Sequence, residues 1–162
     1  MADPTVGVVV LTQGTRPHDL VRGVESVLRQ ERVRPDIVVV GNGWDPATAE
    51  PALPAGVGML ALPENLGIPA GRNQGVPQVE GEYLLFLDDD ADIPSPTFLR
   101  DAIDLLGADP SVGMIQPRLR ARDGKPSPRR WIPRIRKGEP DRSSAVFSVR
   151  DASPDRSHYG LY

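Results

Sequence analysis

The sequence predicts an α/β fold, a doubly wound and mainly parallel sheet flanked by helices. Three observations predict it. Apolar runs at residues 6–11, 36–40 and 83–87 have the length and composition of buried parallel strands. Between them apolar residues recur at helical spacing, as in Leu20, Val21, Val24, Val27 and Leu28. The run Leu84-Leu85-Phe86-Leu87 also stops abruptly at Asp88-Asp89-Asp90, and open α/β sheets hold their ligands just beyond the carboxyl ends of their strands.

The elements follow in order. Residues 6–11 form the first strand. Thr12-Gln13-Gly14-Thr15-Arg16-Pro17 is a turn with proline near a helix start. An amphipathic helix spans 18–30. The second strand, 36–40, is stopped by Gly41-Asn42-Gly43. A short third strand spans 57–62, and 69–76 is a short helix that opens with proline. The strand 83–87 leads into the acids. Ser95-Pro96 caps a further helix with Leu99, Ile103 and Leu106 on one face, ended by Gly107. Residues 112–116 form a last strand. After Gln116 the character changes: 118–142 is rich in Arg and Lys and broken by Pro and Gly, and 143–162 holds one strand-like piece, 145–149. The expected division is therefore a domain at 1–117 and a basic, Pro-rich irregular extension at 118–162.

Composition bounds the function. A chain of 162 residues suffices for one domain with a real core. The net charge of −3 argues against a general nucleic-acid binder. The absence of cysteine excludes disulfides and thiolate metal sites and fits a reducing cytoplasm. His18 and His158 lack zinc-like spacing. No apolar stretch approaches the roughly 20 residues of a membrane span, and Met1-Ala2-Asp3-Pro4 does not read as a signal peptide.

The acids carry the chemistry. A loop that merely caps the next helix needs one carboxylate near the helix N-terminus. Three in succession repel one another unless a cation or donors offset them. The pattern suits a hard divalent cation, Mg²⁺ or Mn²⁺, shared with substrate phosphates.

With Val8-Val9-Val10-Leu11-Thr12, Glu25-Ser26-Val27-Leu28-Arg29-Gln30, Ile37-Val38-Val39-Val40-Gly41-Asn42-Gly43, Glu64-Asn65-Leu66-Gly67, Gly71-Arg72-Asn73-Gln74-Gly75, Gly81-Glu82-Tyr83 and Leu87-Asp88-Asp89-Asp90 in this order, the chain resembles the family 2 glycosyltransferases of the GT-A fold, over about residues 6–117. The resemblance implies a Rossmann-like GT-A domain at 1–117 that binds a nucleotide-diphospho-sugar, with 118–162 as a truncated acceptor region. It implies that Thr12, Gln13 and Gly14 line the nucleotide pocket and that Gly43 permits a tight turn near the base. Asn65, Gly67, Arg72 and Asn73 would flank base and ribose. Asp88 would face ribose or metal, Asp90 would be the main metal ligand, and Asp89 would contact sugar hydroxyls or point inward. Each role has a structural rival. Gly43 can serve a turn alone, Asn65 an Asx-turn, and Arg72 a surface ion pair. Trp44 reads as a partly buried core residue.

The implied reaction is metal-dependent, inverting transfer of a sugar to a glycan, lipid-linked or other acceptor hydroxyl. The chain departs from the family pattern twice. Where the family commonly has an aspartate that reads the base, this chain has Gly41 followed by Asn42, whose amide both donates and accepts. The general base is expected beyond the acids, and nothing singles out Asp151 or Asp155 for it. The competing reading is a binding module without turnover. An aspartate-based phosphohydrolase would place its acids after the first strand, and a nucleotidyltransferase would need a Gly-rich, Lys-bearing loop there. The basic stretch Arg118–Lys137 fits a solvated loop, or contact with a diphosphate lipid or the inner membrane face. Apolar surface left by the shortened sheet predicts self-association.

Overall fold

The computed structural model describes residues 2–117. Four strands form one sheet, β1 (Thr5–Thr12), β2 (Arg34–Asn42), β3 (Gly58–Leu62) and β4 (Tyr83–Asp88). Their order is β3-β2-β1-β4 and every pairing is parallel. Among the described residues three α-helices accompany them, α1 (Pro17–Leu28), α2 (Ile68–Gly75) and α3 (Phe98–Ala108), with two short 3₁₀ turns at Pro46–Thr48 and Val76–Gln78. Parallel neighbours need crossover segments, and these lie on both faces.

Strand alternation sorts the core. Val6, Val8 and Val10 of β1, with Ile37 and Val39 of β2 and Leu87 of β4, face α1 through Leu20, Val24 and Val27, and α3 through Leu99 and Ile103. Val9, Val38, Val40 and Leu62 form the core of the opposite face, joined by Leu11 and Phe86. There α2 lies so close that a Cβ on Gly71 would stand 2.7 Å from a Leu11 methyl, and one on Gly75 2.5 Å from a Val9 methyl. Both faces of β1 are thus covered, which explains its uninterrupted apolar run.

Proline stands in the first turn of α1 and of α2, where its missing N–H costs no helical hydrogen bond. The C-terminal end of α1 also fastens the segment after β4. The buried Gln30 amide donates to the Ser95 carbonyl at 2.7 Å and accepts from Leu99 N–H at 2.9 Å. Ser26 accepts from Ile93 N–H at 2.9 Å, and Glu31 N–H donates to the Pro96 carbonyl at 2.7 Å.

Two expectations are corrected. The last helix begins at Phe98, later than a cap at Ser95-Pro96 would start it, and continues through Gly107 to Ala108. The backbone at 95 and 96 is held by α1, and Thr97 instead donates its hydroxyl to Asp101. Residues 112–116 form no strand. That run is interrupted by Gly113 and bounded by Pro110 and Pro117, which disfavour a ladder. The unit carrying the sheet is Met1–Ile103, and from Asp104 the chain belongs to a second unit. Within the described part of that unit, the Ser111 hydroxyl and amide both donate to Asp109 and hold its carboxyl below the ordinary value. The basic stretch, the strand-like piece 145–149, Asp151 and Asp155 lie outside the described residues.

Candidate functional site

In the order β3-β2-β1-β4, the chain leaves β1 toward β2 on one side and returns to β4 on the other. The carboxyl ends of β1 and β4 therefore flank the topological switch point, the position where open α/β sheets bind ligands. Register places Val10 beside Leu87 and Leu11 beside Asp88. The turns that follow, Thr12 to Arg16 and Asp88 to Asp90, meet there.

Alternation along β4 separates the acids. Asp88 follows Phe86 onto the α2 face, and Asp89 follows Leu87 onto the α1 face. On the α2 face Arg72 pairs with Asp88 through Nη2 and Oδ1, its guanidinium 5.5 Å from the Phe86 ring centre. On the α1 face Asp89 is buried and accepts the Thr12 hydroxyl on Oδ2 and Arg16 Nη2 on Oδ1, each at 2.7 Å. Thr12 Oγ1 in turn accepts Gly14 N–H at 3.0 Å. The second arm of Arg16 reaches Oδ2 of Asp90. Asp88 and Asp90 are solvent-facing, with side chains 68% and 46% exposed, whereas Asp89 turns inward at 7%.

The acidic loop also rests on α1. A Cβ on Gly23 would stand 2.5 Å from the Ala91 carbonyl oxygen, so only glycine admits this approach. The Ala91 N–H closes the loop by donating to the Asp88 carbonyl at 3.0 Å.

A second cluster stands at the end of β2. The buried Asn42 amide donates to Asn65 Oδ1 at 2.7 Å and to the Gly67 carbonyl at 3.3 Å, and accepts Leu66 N–H at 2.8 Å. Asn65 also accepts Gly67 N–H at 2.9 Å, the Asx-turn geometry. The Asn42 amide thus holds the loop before α2. Gly43 and Gly67 have φ of 77° and 79°, which favour glycine. Gly41 has no room for a side chain, since a Cβ would lie 2.0 Å from the Trp44 carbonyl oxygen. Trp44 packs on the core edge, its indole over Gly14, where a Cβ would come within 2.4 Å of the ring. Beside it Gly43, Trp44, Asp45, Ala61, Leu62 and Pro63 line an open cleft of about 430 Å³.

A model of the family described as "Glycosyl transferase family 2" matches residues 7–158. The chain belongs to glycosyl transferase family 2. The match runs past residue 117, through most of the stretch set apart as an extension. Over 90 residues the chain is 38% identical to the succinoglycan biosynthesis protein ExoO of Rhizobium meliloti (strain 1021), covering 52% of this chain and 25% of that protein. The mannosyltransferase PcManGT from Pyrobaculum calidifontis, solved with GDP-Man and Mn²⁺, superposes with a TM-score of 0.58 at 25% identity, covering 68% of this chain and 34% of that one. S. aureus TarS 1-349 shares the fold, with a TM-score of 0.51 at 23% identity over 64% of this chain and 32% of that one. The chain thus spans about a quarter of its curated relative and a third of these structures. The parallel sheet flanked by helices is the GT-A architecture of these structural neighbours.

Of the residues singled out in the sequence, Thr12, Gly14, Asp88, Asp89 and Asp90 meet at the switch point, with Arg72 bonded to Asp88. Asn42, Gly43, Asn65 and Gly67 form the neighbouring loop cluster. Gln13 and Asn73 lie exposed. Sequence reasoning assigned no role to Arg16, which binds two of the three acids. Its signal was a lone cation in the turn between the first strand and Pro17.

Among the described residues no group of three or more His, Cys, Asp or Glu is arranged to hold a metal ion. Asp88 and Asp90 nevertheless offer oxygen donors toward solvent, and Mg²⁺-type sites usually combine one or two carboxylates with substrate phosphates. This donor set fits such an ion. Among the described residues no helix is long and apolar enough to cross a membrane.

Proposed function

We propose that this chain carries the donor site of a metal-dependent, inverting glycosyltransferase that moves a sugar from a nucleoside diphosphate to an acceptor hydroxyl. The observation that carries the reading is the convergence of Thr12, Arg16, Arg72 and Asp88–Asp90 at the switch point of a family 2 domain. The Mn²⁺ and GDP-Man bound by PcManGT, and the UDP and UDP-GlcNAc bound by TarS, support a donor of this class.

The residues divide the work. Asp88 and Asp90 would hold Mg²⁺ or Mn²⁺, which when bound supplies Lewis-acid neutralisation of the departing diphosphate. Arg72, anchored against Phe86, carries a fixed positive charge beside them. Thr12 and buried Asp89 fix the acidic loop against β1, so its geometry is set before the donor arrives. Asn42, by ordering the loop at 65–67, shapes the wall next to the cleft beside Trp44, which has room for a base.

Calorimetric titration of UDP, GDP and dTDP with Mn²⁺ tests this. Metal-dependent binding of one nucleotide, lost in Asp90→Ala, is expected and identifies the base. No binding of any of the three overturns the donor-site reading.

A further inference from the structure

We infer that Arg16 is a place-holding cation of the acidic loop, one that yields Asp90 to the divalent ion and takes up the donor diphosphate in the same exchange. The inference rests on the donor-site reading and adds to it a residue and a binding order.

The two arms of Arg16 sit in different surroundings. Nη2 is bound to Asp89, which is buried and whose other oxygen is occupied by Thr12. Nη1 is bound to Asp90, which is half exposed. The inner arm is therefore fixed and the outer one is exchangeable. An exposed ion pair contributes little, so Asp90 leaves Arg16 at small cost once a stronger cation is offered. The guanidinium, still held by Asp89, then has a free N–H on its outer arm, beside the acids at the switch point. Arginine donates up to five such bonds in a fixed plane, a geometry suited to phosphate oxygens.

Charge explains why an arginine belongs here. Three carboxylates in succession would attract a divalent ion without any donor. Arg16 and Arg72 offset two of the three charges, so the ion alone meets competitors at both solvent-facing acids. A diphosphate alone meets the acids. Together they satisfy every group: the ion takes the carboxylates and the diphosphate takes the arginines. Binding of the two is then positively coupled, and each strengthens the other by the same factor.

The test is a sign reversal. Free Mn²⁺ is measured by electron paramagnetic resonance during titration of the wild type and of Arg16→Gln, without nucleotide and then with UDP or GDP. Arg16→Gln is expected to bind Mn²⁺ alone about two- to fivefold more tightly, the span of an exposed ion pair, and nucleoside diphosphate under saturating Mn²⁺ about tenfold or more weakly, within ordinary coupling energies. Loss of a structural residue would weaken both. Arg16→Lys keeps one charge near Asp89 but cannot fork to two carboxylates. It is expected to fall between wild type and Gln in both measurements, and it serves if Arg16→Gln does not fold. Unchanged or weaker binding of Mn²⁺ alone by the folded variant overturns the inference whatever the nucleotide does. Failure of the wild type to bind any nucleoside diphosphate with Mn²⁺ instead overturns the donor-site reading.

Discussion

Thr12 donates its hydroxyl to Asp89 at 2.7 Å across 77 positions of sequence, and both residues are buried. The bond ties the end of β1 to the turn after β4 and leaves Asp89 facing away from the solvent-side acids. A hydrogen bond to a charged group contributes about 1.5–3 kcal/mol, and an unsatisfied buried partner costs comparably. Thr12→Val keeps the shape and removes the donor. It is expected to lower unfolding free energy by about 2 kcal/mol in urea titration. Thr12→Ser, which retains the hydroxyl, is expected to recover most of that loss. Equal losses in the two variants would mean that the methyl group, not the bond, matters.

Gly23 carries a different constraint. Its backbone touches the Ala91 carbonyl so closely that one added methyl must push the acidic loop outward. Overpacking of this kind costs about 1–3 kcal/mol. Gly75→Ala meets Val9 and Val40 on the opposite face, against strand interior rather than a loop end. Both variants are expected to lose stability by similar amounts in urea unfolding. Only Gly23→Ala is expected to weaken metal-dependent nucleotide binding. Equal binding losses would separate the loop position from the site.

What was legible in the sequence had local causes. The strands β1 and β2 are largely buried and wrote themselves as apolar runs, whereas β4, at the sheet edge, is as apolar in sequence although among its residues only Leu87 is buried and Leu84 is exposed. The helices α1 and α2 announced themselves by proline in the first turn. The acids were visible because a strand ended in them. The start of α3 was not, because its backbone is captured by Gln30 and Glu31, some 65 residues earlier. Arg16 was overlooked for the same reason: its partners lie more than 70 residues away. Asn42, whose amide both donates and accepts, read from sequence as a residue for base recognition. Only the structure shows its amide bound to three groups of one loop.

Gln30 offers the strongest stability test outside the site. Its buried amide satisfies Ser95 and Leu99 and approaches the Ser26 carbonyl at 3.3 Å. Gln30→Met fills the same space without polar atoms and strands the Leu99 N–H and the Ser95 carbonyl. Two unsatisfied groups at about 1–3 kcal/mol each predict a loss of about 2–6 kcal/mol, read as a lower urea midpoint at unchanged slope. A loss under about 1 kcal/mol would show that water replaces the amide.

Asn42→Asp separates loop ordering from direct recognition. The substitution is nearly isosteric but replaces the amide donor with a carboxylate oxygen. That oxygen would face Asn65 Oδ1 and the Gly67 carbonyl, both acceptors. Burial adds a desolvation cost for the new charge. Repulsion loosens residues 65–67 and with them the start of α2, the helix that carries Arg72 in its last turn. The expected outcome is faster amide exchange at 66 and 67 and about tenfold weaker nucleotide binding, equal to about 1.4 kcal/mol. Asn42→Ala removes the bonds without adding charge and is expected to loosen the loop less. If Asn42→Asp instead bound nucleotide more tightly with the loop protection intact, residue 42 would face the base, and the amide would be a reader rather than a clamp.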